Sequence, residues 1–234
     1  MKSIFTSLAI LLSLSLFAQE EKEPVVLSKS ETALDGAFAI GGGVYSGALG
    51  VYRTHGLLKN KRLRVGYGLR LSGFMGSDLN YITAPAKLTA DPAKIDTFNI
   101  GEPISAGLNA SIHLGYFVTP KLMLGFNIDA VGIGFGATNI GTFISSDNNG
   151  NYPGSMRARP TAYNVLLVGD NDIGHLKSEF VIAYNVSDKL RIRAGGDFTF
   201  SEYTTVSTLT NNNDRFRYKA MMGFVGLSYT IHSN

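Results

Sequence analysis

The chain is predicted to be an all-β, up-and-down antiparallel transmembrane barrel of about eight strands, and three observations carry that prediction. First, apolar residues make up 44% of the 234 residues, yet no internal run approaches the roughly 20 apolar residues of a spanning helix. They are dealt out alternately instead, the period of two that a strand imposes on its two faces. Second, the connections between alternating stretches are short on one side and long on the other. Third, Tyr recurs just before two of the three short turns, each time on the apolar face. Charged residues are 17% of the chain, against about 25% in an average soluble domain.

The N-terminus, Met1-Lys-Ser-Ile-Phe-Thr-Ser-Leu-Ala-Ile-Leu-Leu-Ser-Leu-Ser-Leu-Phe-Ala18, has a short basic start, an apolar stretch too short to span and a small residue before a polar run. It reads as a secretory signal peptide, residues 1–18, cleaved after Ala18. Residues 19–35 are polar, lack either periodicity and read as a periplasmic lead-in, which leaves 36–234 as one barrel domain. The chain has no cysteine, so neither a thiol-linked lipid anchor nor a disulfide is available to it. A net charge of +3, spread along the strands, gives no basic patch for nucleic acid.

The clearest grammar lies between Leu176 and Tyr203. Leu176, Phe180, Ile182, Tyr184 and Val186 share one face of the first arm, while Lys177, Glu179 and Asn185 fall on the other. After the turn Ser187-Asp188-Lys189, Leu190, Ile192, Ala194, Phe198 and Phe200 alternate with Arg191, Arg193, Asp197, Thr199 and Ser201. Each arm has the reach of a tilted membrane strand, roughly 9–11 residues.

Taken in order, residues 36–45 and 47–57 read as a Gly-rich pair turning at Ser46, a division that also makes the strand count even. Residues 62–72 alternate Leu63, Val65, Tyr67, Leu69 and Leu71 with a face carrying Arg62, Arg64 and Arg70. Residues 76–101, with Pro85 and Pro92 and no steady period, read as a long loop. Residues 104–138 form the next hairpin around Thr119-Pro120-Lys121, with Asn109, Ser111, His113, Asn127 and Asp129 on its polar face. Residues 139–174 are the longest irregular stretch; within it 163–169 is either an extra strand or an extension of the next one. The last strand runs from Phe216 to Ile231. Tyr116-Phe-Val-Thr-Pro-Lys-Leu122 and Tyr184-Asn-Val-Ser-Asp-Lys-Leu190 repeat one pattern across two turns. With Tyr229 these tyrosines are expected to form an aromatic girdle at one membrane interface.

Alternation by itself also suits a soluble, lipocalin-like barrel with its apolar faces turned inward. Rim tyrosines, unequal loops and scarce charge favour the membrane form. The polar faces then line the lumen, where Arg64, Arg70, His113, Asp129, Lys177, Glu179, Arg191, Arg193 and Asp197 are expected to form a mixed-charge network that fills it, with Arg193 and Asp197 as one pair.

No motif points to catalysis, a cofactor or a metal. Ser111 and His113 share a face without an orienting carboxylate. Gly132-Ile-Gly-Phe-Gly136 has no helix after it to make a nucleotide site. Asp147 to Asn151 and Asp170-Asn-Asp172 lack the closing carboxylate of a calcium loop. Arg157 and Arg159, in the longest loop, are candidates to meet anionic groups such as the phosphates of lipopolysaccharide.

With these features the chain resembles the small outer-membrane β-barrel proteins of Gram-negative bacteria, similar in plan to the OmpA/OmpX-type membrane domain. The similarity runs from Gly36 to Ile231 and departs at the C-terminus, Ser228-Tyr-Thr-Ile-His-Ser-Asn234, where many such proteins end on Phe. It implies outer-membrane residence, long loops outside the cell and both termini in the periplasm. The expected function is that of a monomeric, non-enzymatic structural, adhesive or ligand-binding surface protein. It contacts outer-membrane lipid and lipopolysaccharide and acts through loops 76–101 and 139–174. The alternatives are a small passive pore and, third, a lipid-modifying enzyme.

Overall fold

The computed structural model describes residues 27–146, 154–167 and 170–234; the signal-peptide reading and Asp147 to Asn151 lie outside them. Thirteen strands form one antiparallel sheet. They are β1 (Ser30–Gly41), β2 (Val44–Leu57), β3 (Leu63–Gly76), β4 (Leu79–Thr83), β5 (Thr97–Ile100), β6 (Ile104–Phe117), β7 (Leu122–Gly136), β8 (Asn139–Ile144), β9 (Ser155–Pro160), β10 (Tyr163–Val165), β11 (Leu176–Asn185), β12 (Leu190–Thr205) and β13 (Arg215–Ser233). The long strands pair in a closed circuit, β1 to β2, β3, β6, β7, β11, β12, β13 and back to β1. Closure leaves these strands without an unpaired edge, the condition for a sheet to exist in hydrocarbon.

The side-chain alternation fixes which face is inside. On the outside, Phe38, Leu49, Leu69, Ile112, Leu114, Phe180, Ile182, Ile192, Val225 and Leu227 are each 48–68% exposed. A continuous apolar belt of this extent is stable against lipid and not against water. This overturns the soluble, inward-apolar alternative, because the inward positions are the polar ones. The belt is crossed by strands; among the described residues no helix is long and apolar enough to span a membrane.

Three sequence expectations are corrected. The barrel begins at Ser30 instead of Gly36, so residues 30–35 of the expected lead-in belong to β1. The first hairpin turns at Gly42 and Gly43, not at Ser46; both glycines lie at positive φ, +59° and +79°, as a tight two-residue hairpin turn requires. The two stretches read as long loops contain five short strands, which raises the count from about eight to thirteen.

Five of those short strands rise at the end opposite the termini. β9 pairs with β12 at Pro160 opposite Tyr203, and β4 pairs with β13 at Thr83 opposite Phe216. The ladders β4 to β5, β5 to β8 and β8 to β9 complete a second circuit through the β12–β13 hairpin. A short helix, α1 (Ala86–Thr89), bridges β4 and β5. This cap has its own aromatic core. Tyr81 meets Tyr203 edge-on with centroids 5.3 Å apart, and Phe216 packs on Phe98 at 5.4 Å and Phe143 at 6.1 Å. Burial pushes the Tyr81 phenol up, so it remains a hydroxyl that bonds Ser201 Oγ at 3.0 Å. The fifth strand, β10, pairs with β7 separately from β11, deciding the reading of 163–169 in favour of an extra strand for its described part.

Candidate functional site: the charged lumen and its cap

The inward positions of the long strands carry a ladder of ion pairs along the barrel. Near the termini, Glu31 on β1 accepts from Arg191 on β12 at 3.1 Å and lies 3.9 Å from Arg64 on β3. Arg64 also donates to the Ser28 carbonyl at 2.6 Å. Arg191 additionally donates to Asn185 Oδ1 at 2.7 Å and lies over the Phe117 ring. Tyr52 Oη and Ser228 Oγ are 2.5 Å apart beside them.

In the middle, Glu179 on β11 takes Arg193 at 2.7 Å and Arg70 at 3.3 Å. Each arginine reaches a second acid, Arg193 to Asp35 and Arg70 to Asp129 at 2.7 Å. Asn127 donates to Glu179 at 3.1 Å. The result is a five-member chain of alternating sign.

Above it, the Lys177 ammonium pairs with Asp197 and donates to Ser46 Oγ at 3.1 Å; Thr199 supplies a further donor to Asp197 at 2.7 Å. At the cap junction, Glu202 receives Arg215 at 2.7 Å and Arg217 at 2.9 Å. Both arginines also donate to the Asp172 carbonyl, which ties the segment before β11 to the hairpin.

From Glu31 to Asp197 the inward cations Arg64, Arg70, Lys177, Arg191 and Arg193 are matched by Glu31, Asp35, Asp129, Glu179 and Asp197, while Glu202, Arg215 and Arg217 lie on the face of the β12–β13 hairpin opposite Ser201, Tyr203 and Phe216. Equal numbers let each buried charge find an opposite, which offsets the several kcal/mol that burying an ion costs. Among the described residues a single buried side-chain polar atom, Asn213 Nδ2, lacks a partner. A cavity of about 30 Å³ near Glu31, Arg64 and Arg191 has room for a few waters at most.

The structure therefore brings Arg64, Arg70, Asp129, Lys177, Glu179, Arg191, Arg193 and Asp197 onto the inward face of one lumen. His113 is there too, bonded to Ser111 Oγ at 2.9 Å and stacked on Tyr52 with centroids 4.7 Å apart. The expected Arg193 to Asp197 pair does not form. Residues four apart on one strand are separated by about 13 Å of backbone, whereas Glu179 sits directly opposite Asp197 and puts Lys177 on the diagonal.

Sequence reasoning missed Glu31 and Asp35, hidden in the supposed lead-in. The signal was present: Leu34 continues the outward phase of Phe38 and Ile40 backward, which turns Glu31, Ala33 and Asp35 inward. His175, which no sequence pattern singles out, is also buried, with Ser72 Oγ 3.1 Å and Ser105 Oγ 3.3 Å from its two ring nitrogens. Asn109 and Asn164 join that group through a 2.7 Å bond. Among the described residues no three His, Cys, Asp or Glu side chains gather as a metal site.

Tyr116, Tyr184 and Tyr229 all point outward, 43–48% exposed, at the level where β6, β11 and β13 near the terminus-bearing end. They share that level through β7, where Leu124 faces Tyr116 and Leu122 faces Tyr184. Arg157 and Arg159 lie on β9, exposed on the outer face of the cap, while Met156 and Ala158, alternating with them, enter its core.

No protein-family model matches the chain, and no curated protein matches it. Among solved structures it is similar to neisserial surface protein A, with 9% identity, a TM-score of 0.38, and coverage of 86% of this chain and 96% of that one. It is similar to the outer membrane protein Ail of Yersinia pestis at 8% identity and a TM-score of 0.35, covering 86% and 99%. A major outer membrane protein of Thermus thermophilus shows 11% identity and a TM-score of 0.40, again covering 86% and 99%.

Proposed function

We propose that this chain is a non-enzymatic, non-conducting outer-membrane barrel whose eight long strands form the transmembrane wall and whose cap is a recognition surface. The observation that supports this reading most is the filled lumen. Among the described residues the inward charges are paired and Tyr81, Tyr203 and Phe74 occupy the upper end, an arrangement that supports a closed interior over a water path or a substrate pocket. The outer wall is committed to lipid, so contact with other molecules falls to the cap. In this orientation the cap stands outside the cell, the short turns and termini face the periplasm, and the protein acts as a monomer.

On the cap, Arg157 and Arg159 are exposed on β9 beside Ile140, which is 68% exposed on β8, and Val206, which is 66% exposed. Two guanidinium groups next to apolar side chains suit an anionic, amphipathic surface molecule, lipopolysaccharide included. Folded protein in micelles, titrated with fluorescent heparin oligosaccharide as the anionic probe, is expected to bind. Arg157→Ser combined with Arg159→Ser is expected to weaken binding about tenfold, the loss of roughly one charge-assisted hydrogen bond. Unchanged binding removes the arginines from the recognition surface.

A further inference from the structure

The basic residues look scattered in the sequence, but the fold gathers seven of them at the end that carries the short turns and the termini. Lys29 precedes β1, and Arg53 on β2 donates to the neighbouring Ser30 Oγ at 3.5 Å. Lys59, Lys61 and Arg62 lie in the turn from β2 to β3; Lys121 and Lys189 occupy the other two turns. Asp188 is the one acidic side chain among the described residues of these turns, since Glu31 faces inward. Lys29, Lys59, Lys121 and Lys189 are exposed, and none of the seven makes an ion pair among the described residues. At the cap end, by contrast, the signs are mixed and two lysines are paired, Lys94 with Asp91 at 3.1 Å and Lys219 with Asp170 at 2.8 Å, while Lys87 on α1 makes no ion pair among the described residues.

The position of these cations relative to the apolar belt is regular. In two turns an outward Tyr is followed two residues on by an outward Val and three further on by a Lys: Tyr116, Val118 and Lys121, then Tyr184, Val186 and Lys189. In the third, exposed Leu57 and Leu58 lead straight into Lys59. Each turn cation thus sits just past the last lipid-facing side chain, at headgroup depth, where a Lys stem can lie along apolar surface and present its ammonium to phosphate.

We propose that this collar is a binding surface for the headgroups of anionic phospholipid in the leaflet on the terminus side of the barrel. The inference rests on the membrane reading of the belt and goes beyond it by naming the lipid chemistry that this end selects. The two observations together favour lipid over an acidic protein: the cations are distributed around the rim, one turn after another, and each is coupled to a lipid-facing apolar residue.

The test folds the full chain into phosphatidylcholine vesicles carrying trace spin-labelled phosphatidylglycerol or spin-labelled phosphatidylcholine, and measures the motion-restricted fraction of each. Because both leaflets have one composition, the result does not depend on insertion direction. The wild type is expected to favour the anionic lipid by about fivefold, the enrichment that one Lys near an anionic surface corresponds to, and to lose the preference in about 1 M salt, where the Debye length is about 3 Å. Neutralising all seven, Lys29, Arg53, Lys59, Lys61, Arg62, Lys121 and Lys189, to Gln is expected to bring the ratio to parity. If that variant does not fold, Lys121→Gln with Lys189→Gln is expected to cut the preference about in half.

Equal association of the two lipids with the wild type overturns the proposal, as does a preference that survives neutralisation. So does a preference absent in vesicles while soluble polyglutamate binds the same end, which assigns the collar to an acidic partner. Failure of the wild type to insert, read from loss of its heat-dependent gel shift in both lipids, counts instead against the membrane reading.

Discussion

Asp197→Ala is expected to lower the free energy of unfolding by about 3–5 kcal/mol, the cost of leaving one member of a buried ion pair without its partner. Both side chains are essentially inaccessible, 1% for Lys177 and 0% for Asp197. Removal of the carboxylate leaves the ammonium with the Ser46 hydroxyl alone as a direct bond and also strips Thr199 Oγ1 of its acceptor. Lys177→Met in the same chain is expected to recover most of the loss, because an apolar stem of similar length fills the site without a charge. Urea titration of the folded protein in micelles, followed by the gel-shift assay, measures both. A double variant no more stable than Asp197→Ala contradicts the pairing, and an Asp197→Ala protein as stable as wild type shows that water already reaches the ammonium.

Glu179→Ala is expected to destabilise the barrel by a similar amount, about 3–5 kcal/mol, but with a different rescue pattern. Glu179 is shared by Arg70 and Arg193, and each arginine also holds an acid of its own, Asp129 and Asp35 respectively. Taking away Arg193 to balance the lost carboxylate therefore orphans Asp35, and taking away Arg70 orphans Asp129. Glu179→Ala combined with Arg193→Met is accordingly expected to be no more stable than Glu179→Ala, whereas the Lys177 and Asp197 double variant recovers. The same urea titration checks this contrast. Recovery in both double variants indicates independent pairs in place of a chain, since coupling between sites is what a double-mutant cycle reads.

What the sequence made legible was the wall; what it hid was the register. The hairpin from Leu176 to Tyr203 is readable because ten or more residues alternate without interruption, long enough for the period of two to stand out. The lumen residues followed from that phase alone. β1 was harder, since Ala33, Gly36, Ala37 and Ala39 blur the contrast between its faces and the polar run before Ser30 continues into its inward acids. The cap strands were not legible as strands at all: β5 and β9 offer two or three repeats of alternation, and Phe98, Phe143 and Phe216 acquire a common core only when residues far apart in the chain close the second circuit. Partner identity inside the lumen depends on which residues stand opposite each other. Periodicity does not supply that, and so Asp197 was assigned to Arg193 when the ladder gives it to Lys177.

The claim on which the rest depends is that the lumen is filled by its own paired side chains. Planar-bilayer recording of the purified, folded protein tests it most directly: a silent membrane, with at most brief and irregular openings, is the predicted result. Steady, ion-selective conductance from the wild-type protein contradicts it and shows that the charges from Glu31 to Asp197 line a path for ions.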